Sequence, residues 1–457
     1  MKKKEIGNLK IAYIGGGSRA WAWTFMTDLA LDKDAGGEIR LYDTDHEAMR
    51  HNKIIGNSLP GNWRYSMYKT LPEALDGADF IIISILPGTF AEMRSDVHLP
   101  ERLGVYQSVG DTTGPGGIIR AMRTLPMFVE FAEAIRNYAP DAWVINYTNP
   151  LALCLRTLYH VFPKIKALGC CHEVFGTQEL LAAMVSRKLH VQDVKRQEID
   201  VNVLGLNHFT WFSKASYKGY DLMDTYREFS EEFYETGFDS GETELLNQSF
   251  TCVHRVKFDL FKRFGWIAAA GDRHLAEFMP GGWYLKDMET VRRWGFYLTS
   301  VDWREDDLTY RLEKSAKLIS GETKMSMQSS GEEGVAIIKA LSGAGRMMSN
   351  VNLSNYGGQI DNLPKETVVE TNAVFSLNDI RPVYAGALSD SVYKLIAPHA
   401  ENQTVILNAA LNCDRNSLYE AFGRDPLLCG RASDAELRDL ADDMIKNTLK
   451  YLPKGWE

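Results

Sequence analysis

Through about the first 200 residues, short apolar runs alternate with stretches of helical periodicity, the pattern of β-strands joined by crossover helices. Leu9-Lys10-Ile11-Ala12-Tyr13-Ile14 reads as a strand and gives way at three glycines to an apolar helical stretch that reaches Leu31. Further strand-like runs lie at 38–42, 79–85, 143–147, 165–168 and 198–204, with helices predicted at 118–138 and from near Gly176. The run at 79–85 has no polar face, which suits a central strand buried on both sides. These elements predict a doubly wound parallel sheet, whose ligands bind beyond the carboxyl ends of the strands.

After His208 the alternation stops. Phe209-Thr210-Trp211-Phe212 is strand-like, and helices are predicted at 221–234 and 245–264. Between 351 and 371, Gly357-Gly358 and Leu363-Pro364 break β-prone segments, as in an antiparallel sheet. Ser433-Asp434-Ala435-Glu436 is a capping box that opens a last helix. The dense ionisable stretch from Asp272 to Glu277 reads, in isolation, as a solvated, salt-bridged loop. A chain of 457 residues exceeds one ordinary core. The expected division is a Rossmann-like nucleotide-binding domain over 1–200 and a mixed α+β domain over 201–457.

Composition removes several function classes. The net charge is -9 and no basic run exceeds Lys2-Lys3-Lys4, so no nucleic-acid partner is expected. The apolar run behind that triplet ends at glycines, too soon for a secretory signal, and no stretch is long enough for a membrane helix. Six cysteines without framework spacing fit reduced thiols in a cytoplasmic protein.

The chemistry-bearing residues gather at strand ends. Gly15-Gly16-Gly17-Ser18-Arg19-Ala20 is G-x-G-x-x-A between a strand and a helix, the arrangement that seats a pyrophosphate on helix N–H groups. Asp43 ends the next strand, where a carboxylate accepts ribose hydroxyls and disfavours a 2′-phosphate, so NAD is expected rather than NADP. Leu86-Pro87-Gly88 breaks a central strand beside the same place. Gly15, Gly17, Ser18, Arg19, Asp43 and Pro87 are the predicted cofactor-binding positions. Gly169-Cys170-Cys171-His172-Glu173 follows another strand: thiol and imidazole there can ligate a transition metal or handle protons, though free cysteines are often merely buried.

Taken together in order and spacing, several of these segments resemble glycoside hydrolase family 4. They are Gly15 to Ser18, Asp111-Thr112-Thr113-Gly114-Pro115-Gly116-Gly117, Asn146-Tyr147-Thr148-Asn149-Pro150, Cys171-His172, Gly205-Leu206-Asn207-His208, Gly271-Asp272-Arg273-His274 and Asn362-Leu363-Pro364. The resemblance implies NAD, a divalent metal (usually Mn2+) on Cys171 and His208, and a lactate/malate dehydrogenase-like architecture. It also implies transient oxidation at sugar C3, C2 deprotonation and elimination at C1, not two-carboxylate hydrolysis. Cys171-His172-Glu173-Val174 is similar to the α-galacturonidase subgroup, and His172 speaks against a 6-phosphate substrate. The same resemblance makes Asp272 the base, with an ion pair to Arg273 as its rival role, and His172 the acid. Asn149, Arg94 and Arg273 bind substrate, and Arg94, Arg255 and Arg273 are the candidates for a uronate carboxylate. It implies a homodimer or homotetramer. The competing readings are an α-galactosidase or α-glucosidase of the family, a malate-like 2-hydroxyacid dehydrogenase, and a non-catalytic NAD sensor.

Overall fold

The computed structural model describes residues 6–239 and 252–457. Its strands are β1 (Leu9–Ile14), β2 (Gly36–Tyr42), β3 (Asn62–Met67), β4 (Phe80–Ile83), β5 (Trp143–Asn146), β6 (Lys166–Gly169) and β7 (Ile199–Leu206). They continue as β8 (Phe209–Tyr217), β9 (Tyr220–Asp221), β10 (Ile267–Ala268), β11 (Met347–Ser354), β12 (Val368–Ser376) and β13 (Asp379–Pro382). All join one sheet of order β10-β8-β7-β12-β11-β6-β5-β4-β1-β2-β3, with β13 on β12 and β9 on β8.

From β3 to β6 the neighbours are parallel, in the strand order of a dinucleotide-binding sheet. Beyond β6 the pairing turns antiparallel: β6 meets β11 at the aligned pair Gly169–Asn352, and β12 meets β7 at Glu370–Gly205 and Thr371–Leu204. The expected α/β architecture with an antiparallel extension is therefore present, as one continuous sheet.

Alternate residues explain why the central strands β1 and β4 carry apolar side chains on both faces. Ala12, Ile14, Ile81 and Ile83 enter a core that also holds Ile118, Leu125 and Leu155 and, from the C-terminal helix Asp390–Asn412, Val392 and Ile396. Ile11, Tyr13, Phe80 and Ile82 face the opposite way, onto Trp23 and Met26 of helix Trp21–Leu31 and onto Ile337 and Ile338 of helix Gly334–Leu341. Chain from beyond residue 201 thus covers both faces of the nucleotide sheet. Among the described residues no helix is long and apolar enough to cross a membrane.

Three expectations need correction. The run at 198–204, expected in the parallel sheet, is β7, which pairs antiparallel with β8 and β12. The helix expected from residue 245 begins at Arg255, behind a His254 of φ 61°; positions 245–251 lie outside the described residues. The ionisable stretch is no solvated loop but helix Asp272–Phe278, with all seven residues buried. Its charges find partners from distant segments, which composition alone does not reveal.

Candidate active site

The glycine loop after β1 is shaped by close backbone contacts. Gly15 has φ +93°, and a Cβ there would lie 1.9 Å from the Ser84 carbonyl oxygen. Gly17 N–H donates to Asp43 Oδ2 at 2.8 Å, and Asp45 N–H to Asp43 Oδ1 at 2.9 Å. Asn52 Nδ2 donates to the carbonyls of Gly16 and Ser18, each at 2.8 Å. Ser18 Oγ accepts from Ala20 N–H at 3.3 Å, and Arg19 O accepts from Arg311 Nη1 at 3.2 Å. Across the strand ends, Pro87 O accepts from the buried Arg123 at 3.0 Å. The predicted cofactor positions therefore form a tethered rim around the ends of β1, β2 and β4. With one amide on each oxygen, the Asp43 carboxylate keeps acceptor capacity for ribose hydroxyls. Replacing Asp43 with serine should weaken NAD binding about tenfold while relaxing discrimination against NADP, as measured by fluorescence titration with each dinucleotide.

A second group of polar side chains gathers beyond β5, β6, β7 and β12. Asn207 and His208 form the two-residue turn between the paired Leu206 and Phe209, with His208 at φ 62°. Thr112 Oγ1 lies 2.7 Å from Asp111 Oδ1 and 2.9 Å from His208 Nδ1. With the hydroxyl donating to Asp111, its oxygen accepts from His208 Nδ1–H, which leaves Nε2 as the lone-pair donor. Asn149 Nδ2 donates to Asp111 Oδ2 at 3.2 Å. Glu370 accepts from Asn350 at 2.5 Å and Asn207 at 3.3 Å, and Asn350 also reaches the Cys171 carbonyl at 3.3 Å. Glu173 accepts from Gly271 N–H at 2.6 Å and lies 3.5 Å from His274 Nε2. The His274 ring rests on His208, with centroids 3.8 Å apart.

Burial dominates the electrostatics. It pushes the Cys171 thiol well up, with Glu370 and Glu173 adding to the effect and Asn207 opposing it. Burial lowers His208, and it takes His274, beside His208, to about 3, so both rings are neutral. Glu370 is raised to about 7 by burial against the pull of its three asparagine amides. Burial also opposes the charge on Asp111, but the Arg120 guanidinium, with Arg304 adding to it, holds that carboxyl well below the usual range.

Of the predicted site residues, Cys171, His208 and Asn149 come together here. Arg273 is buried on the adjoining helix, bonded to Thr299 and within reach of the Glu173 charge. His172 sits at the edge with its side chain 51% exposed, Nδ1 3.2 Å from Glu332. Burial opposes its charge, but Glu332 and Glu173 raise the imidazole to about 9. Asp272 is fully buried and turns to the start of helix Arg255–Phe264, accepting from Val256 N–H at 3.2 Å and Lys257 N–H at 3.3 Å. Its ion partner is Lys257 at 3.8 Å, not Arg273. Arg94 lies outside the cluster, 43% exposed and paired with Asp302 at 2.7 Å and Glu305 at 3.0 Å. Glu370 had not been singled out, although an acid inside the apolar run Val368-Val369-Glu370 was a usable signal.

Two family descriptions match the chain: "Family 4 glycosyl hydrolase" over residues 10–187 and "Family 4 glycosyl hydrolase C-terminal domain" over residues 203–428. A Lachnoclostridium phytofermentans protein named α-galacturonidase is 55% identical over 458 residues, 99% of this chain and 98% of that one. The chain belongs to glycosyl hydrolase family 4. A crystal structure of a Bacillus subtilis protein described as a glucosidase superposes with a TM-score of 0.92 at 49% identity, covering 96% of this chain and 99% of the other. A 6-phospho-α-glucosidase from gut microorganisms, crystallised with NAD and Mn2+, shares the fold with a TM-score of 0.80 at 20% identity, over 98% and 99% of the two chains.

The family 4 cofactors suit the residues present. Asp43 at the glycine loop is free of a cationic partner among the described residues, as a ribose acceptor requires. The expected ligands Cys171 and His208 fit a cation on donor chemistry: a neutral imidazole oriented through Thr112, and a thiol whose ionisation burial and two carboxylates oppose and a cation would favour.

Proposed function

We propose that this family 4 enzyme hydrolyses α-D-galacturonides, using NAD and a divalent cation such as Mn2+. The observation that carries this reading is the Cys171-His172-Glu173-Val174 corner after β6, in a chain that matches a protein named α-galacturonidase along its length. When bound, NAD supplies a hydride acceptor for the sugar C3 and the cation a Lewis acid for the C2 and C3 oxygens.

The chain's own residues do the rest. Cys171 and His208 hold the cation. Asn149, fixed by Asp111, offers its amide to sugar hydroxyls. Asp272 accepts the C2 proton: burial, with Cys252 nearby, raises its carboxyl to about 6, suited to proton transfer near neutral pH. His172, protonated and half-exposed, gives a proton to the leaving oxygen. Arg273 lies on the same helix, beside the Glu173 charge. All six cysteines are unpaired, which suits a reducing cytoplasm. The reading includes a homodimer or homotetramer, which light scattering tests.

Hydrolysis of p-nitrophenyl α-D-galacturonide, α-D-galactoside and α-D-glucoside, with NAD, Mn2+ and reductant each supplied or withheld, decides the matter. The expected result is galacturonide turnover that needs NAD and metal and leaves no net NADH. Cleavage of the neutral glycosides alone would make the chain an α-galactosidase or α-glucosidase. Net NADH from a 2-hydroxy acid would make it a dehydrogenase, and NAD binding without any turnover a sensor.

A further inference from the structure

A uronate carries a carboxylate at C6, and a buried carboxylate needs a cation. Arg94 is neutralised by Asp302 and Glu305, and Arg255 by Glu235 at 3.1 Å, with further bonds to the Tyr234 and Arg293 carbonyls. Arg120 donates to the Asn149 carbonyl at 3.1 Å and faces Asp111. Another arginine, inconspicuous in the acidic run Trp303-Arg304-Glu305-Asp306-Asp307, has a different environment.

Arg304 lies in the first turn of helix Val301–Ser320, whose Ser300 cap accepts from Trp303 N–H at 3.2 Å. The preceding residue anchors that turn to the site, because Thr299 N–H donates to Ser108 O at 2.9 Å and Ser108 Oγ donates to Arg273 O at 2.6 Å. Arg304 Nη2 donates to Val109 O at 3.3 Å, two residues before Asp111. Asp302 and Glu305 of the same turn are spent on Arg94. The Nε of Arg304 is buried without a hydrogen-bond partner, and among the described residues no carboxylate comes within 4.0 Å of the guanidinium.

The nearby acids do not supply the missing counter-charge: Asp307, on the same helix, pairs with Arg311 at 2.6 Å. Asp111 is already bonded to Thr112 and Asn149 and faces Arg120. Glu277 spends one oxygen on the Val109 and Gly110 amides, at 2.6 and 2.8 Å, and burial raises its carboxyl to about 8. A guanidinium next to the sugar-binding group, with most of its planar fork unused, matches a ligand carboxylate in both charge and geometry. A neutral hydroxymethyl group would leave it uncompensated.

We infer that Arg304 binds the C6 carboxylate of the sugar and sets the preference for uronides over neutral glycosides. This rests on the galacturonide reading. The test is calorimetric titration of D-galacturonate, its methyl ester and D-galactose onto the NAD- and Mn2+-loaded enzyme, as wild type, Arg304→Gln and Arg304→Lys. Wild type should favour the free acid over its ester roughly 100-fold, Arg304→Gln should lose that preference, and Arg304→Lys should keep part of it. With p-nitrophenyl galacturonide the loss should fall mainly on KM. Glutamine can still donate to the Val109 carbonyl, and an unchanged Tm and NAD affinity establish that the variant is folded. A wild type without preference for the acid would overturn the galacturonide reading and this inference together. A wild-type preference that survives in Arg304→Gln would overturn the inference alone. So would equal weakening of all three ligands, which marks a structural role; if the glutamine variant does not fold, full wild-type preference in Arg304→Lys serves as the same refutation.

Discussion

Cys171→Ser is expected to lower galacturonide turnover by at least about 1,000-fold while leaving NAD affinity unchanged. The cysteine lies two residues past β6, in the cluster that also holds Asn207, Glu370 and Glu173, and the cofactor loop lies three strands away beyond β1 in the sheet order. A hydroxyl in place of the thiol is a poor ligand for a divalent transition metal, because it does not ionise at neutral pH. Manganese titration followed by electron paramagnetic resonance should show the loss of binding directly. A serine variant that binds Mn2+ and turns over normally would remove Cys171 from the metal site. Burial and the two carboxylates keep the metal-free thiol protonated, the form that resists oxidation.

Asp272→Asn should be nearly as damaging, and it should separate two partial reactions. Deprotonation at C2 requires a base, so exchange of that hydrogen with deuterated solvent should fall by about 1,000-fold, with substrate affinity largely retained. The pH profile supplies a second readout. Burial raises the Asp272 carboxyl to about 6, and a base works ionised, so wild-type kcat/KM should fall as pH drops below about 6. A variant that keeps both the exchange and the acid limb would leave Asp272 as a structural partner of Lys257 and of the amides that begin helix Arg255–Phe264.

Which parts of this were readable from sequence follows from how local each signal is. The central parallel strands were legible because burial on both faces forces apolar runs, as at β4, whereas the edge strand β3, Asn62–Met67, is largely polar and was missed. The Asp43 and Cys171 corners were legible because a polar residue at the end of such a run has few structural reasons to be there. Helix Asp272–Phe278 was misread because its ionisable groups are buried against distant segments: one Glu277 oxygen takes the amides of Val109 and Gly110, and the neutral His274 ring lies beside Glu173. Charged residues look solvated when their partners lie more than a hundred positions away. Arg304 was hidden for the opposite reason, since its neighbours Asp302 and Glu305 make the turn look like an ordinary solvated helix while the arginine itself points inward.

β6 and β11 meet at the aligned pair Gly169 and Asn352, and the residues of the candidate site come from both sides of that joint. Cys171 and Asn149 belong to the parallel side; His208, Asp272, Arg304 and Glu370 belong to the other. On the roles proposed above, neither half would retain the reaction after the two were parted by recombination, and they would be inherited as a pair. Yet substitutions beyond the joint can retune which sugar is accepted without disturbing the nucleotide loop. One lineage can therefore keep its oxidant and change its diet.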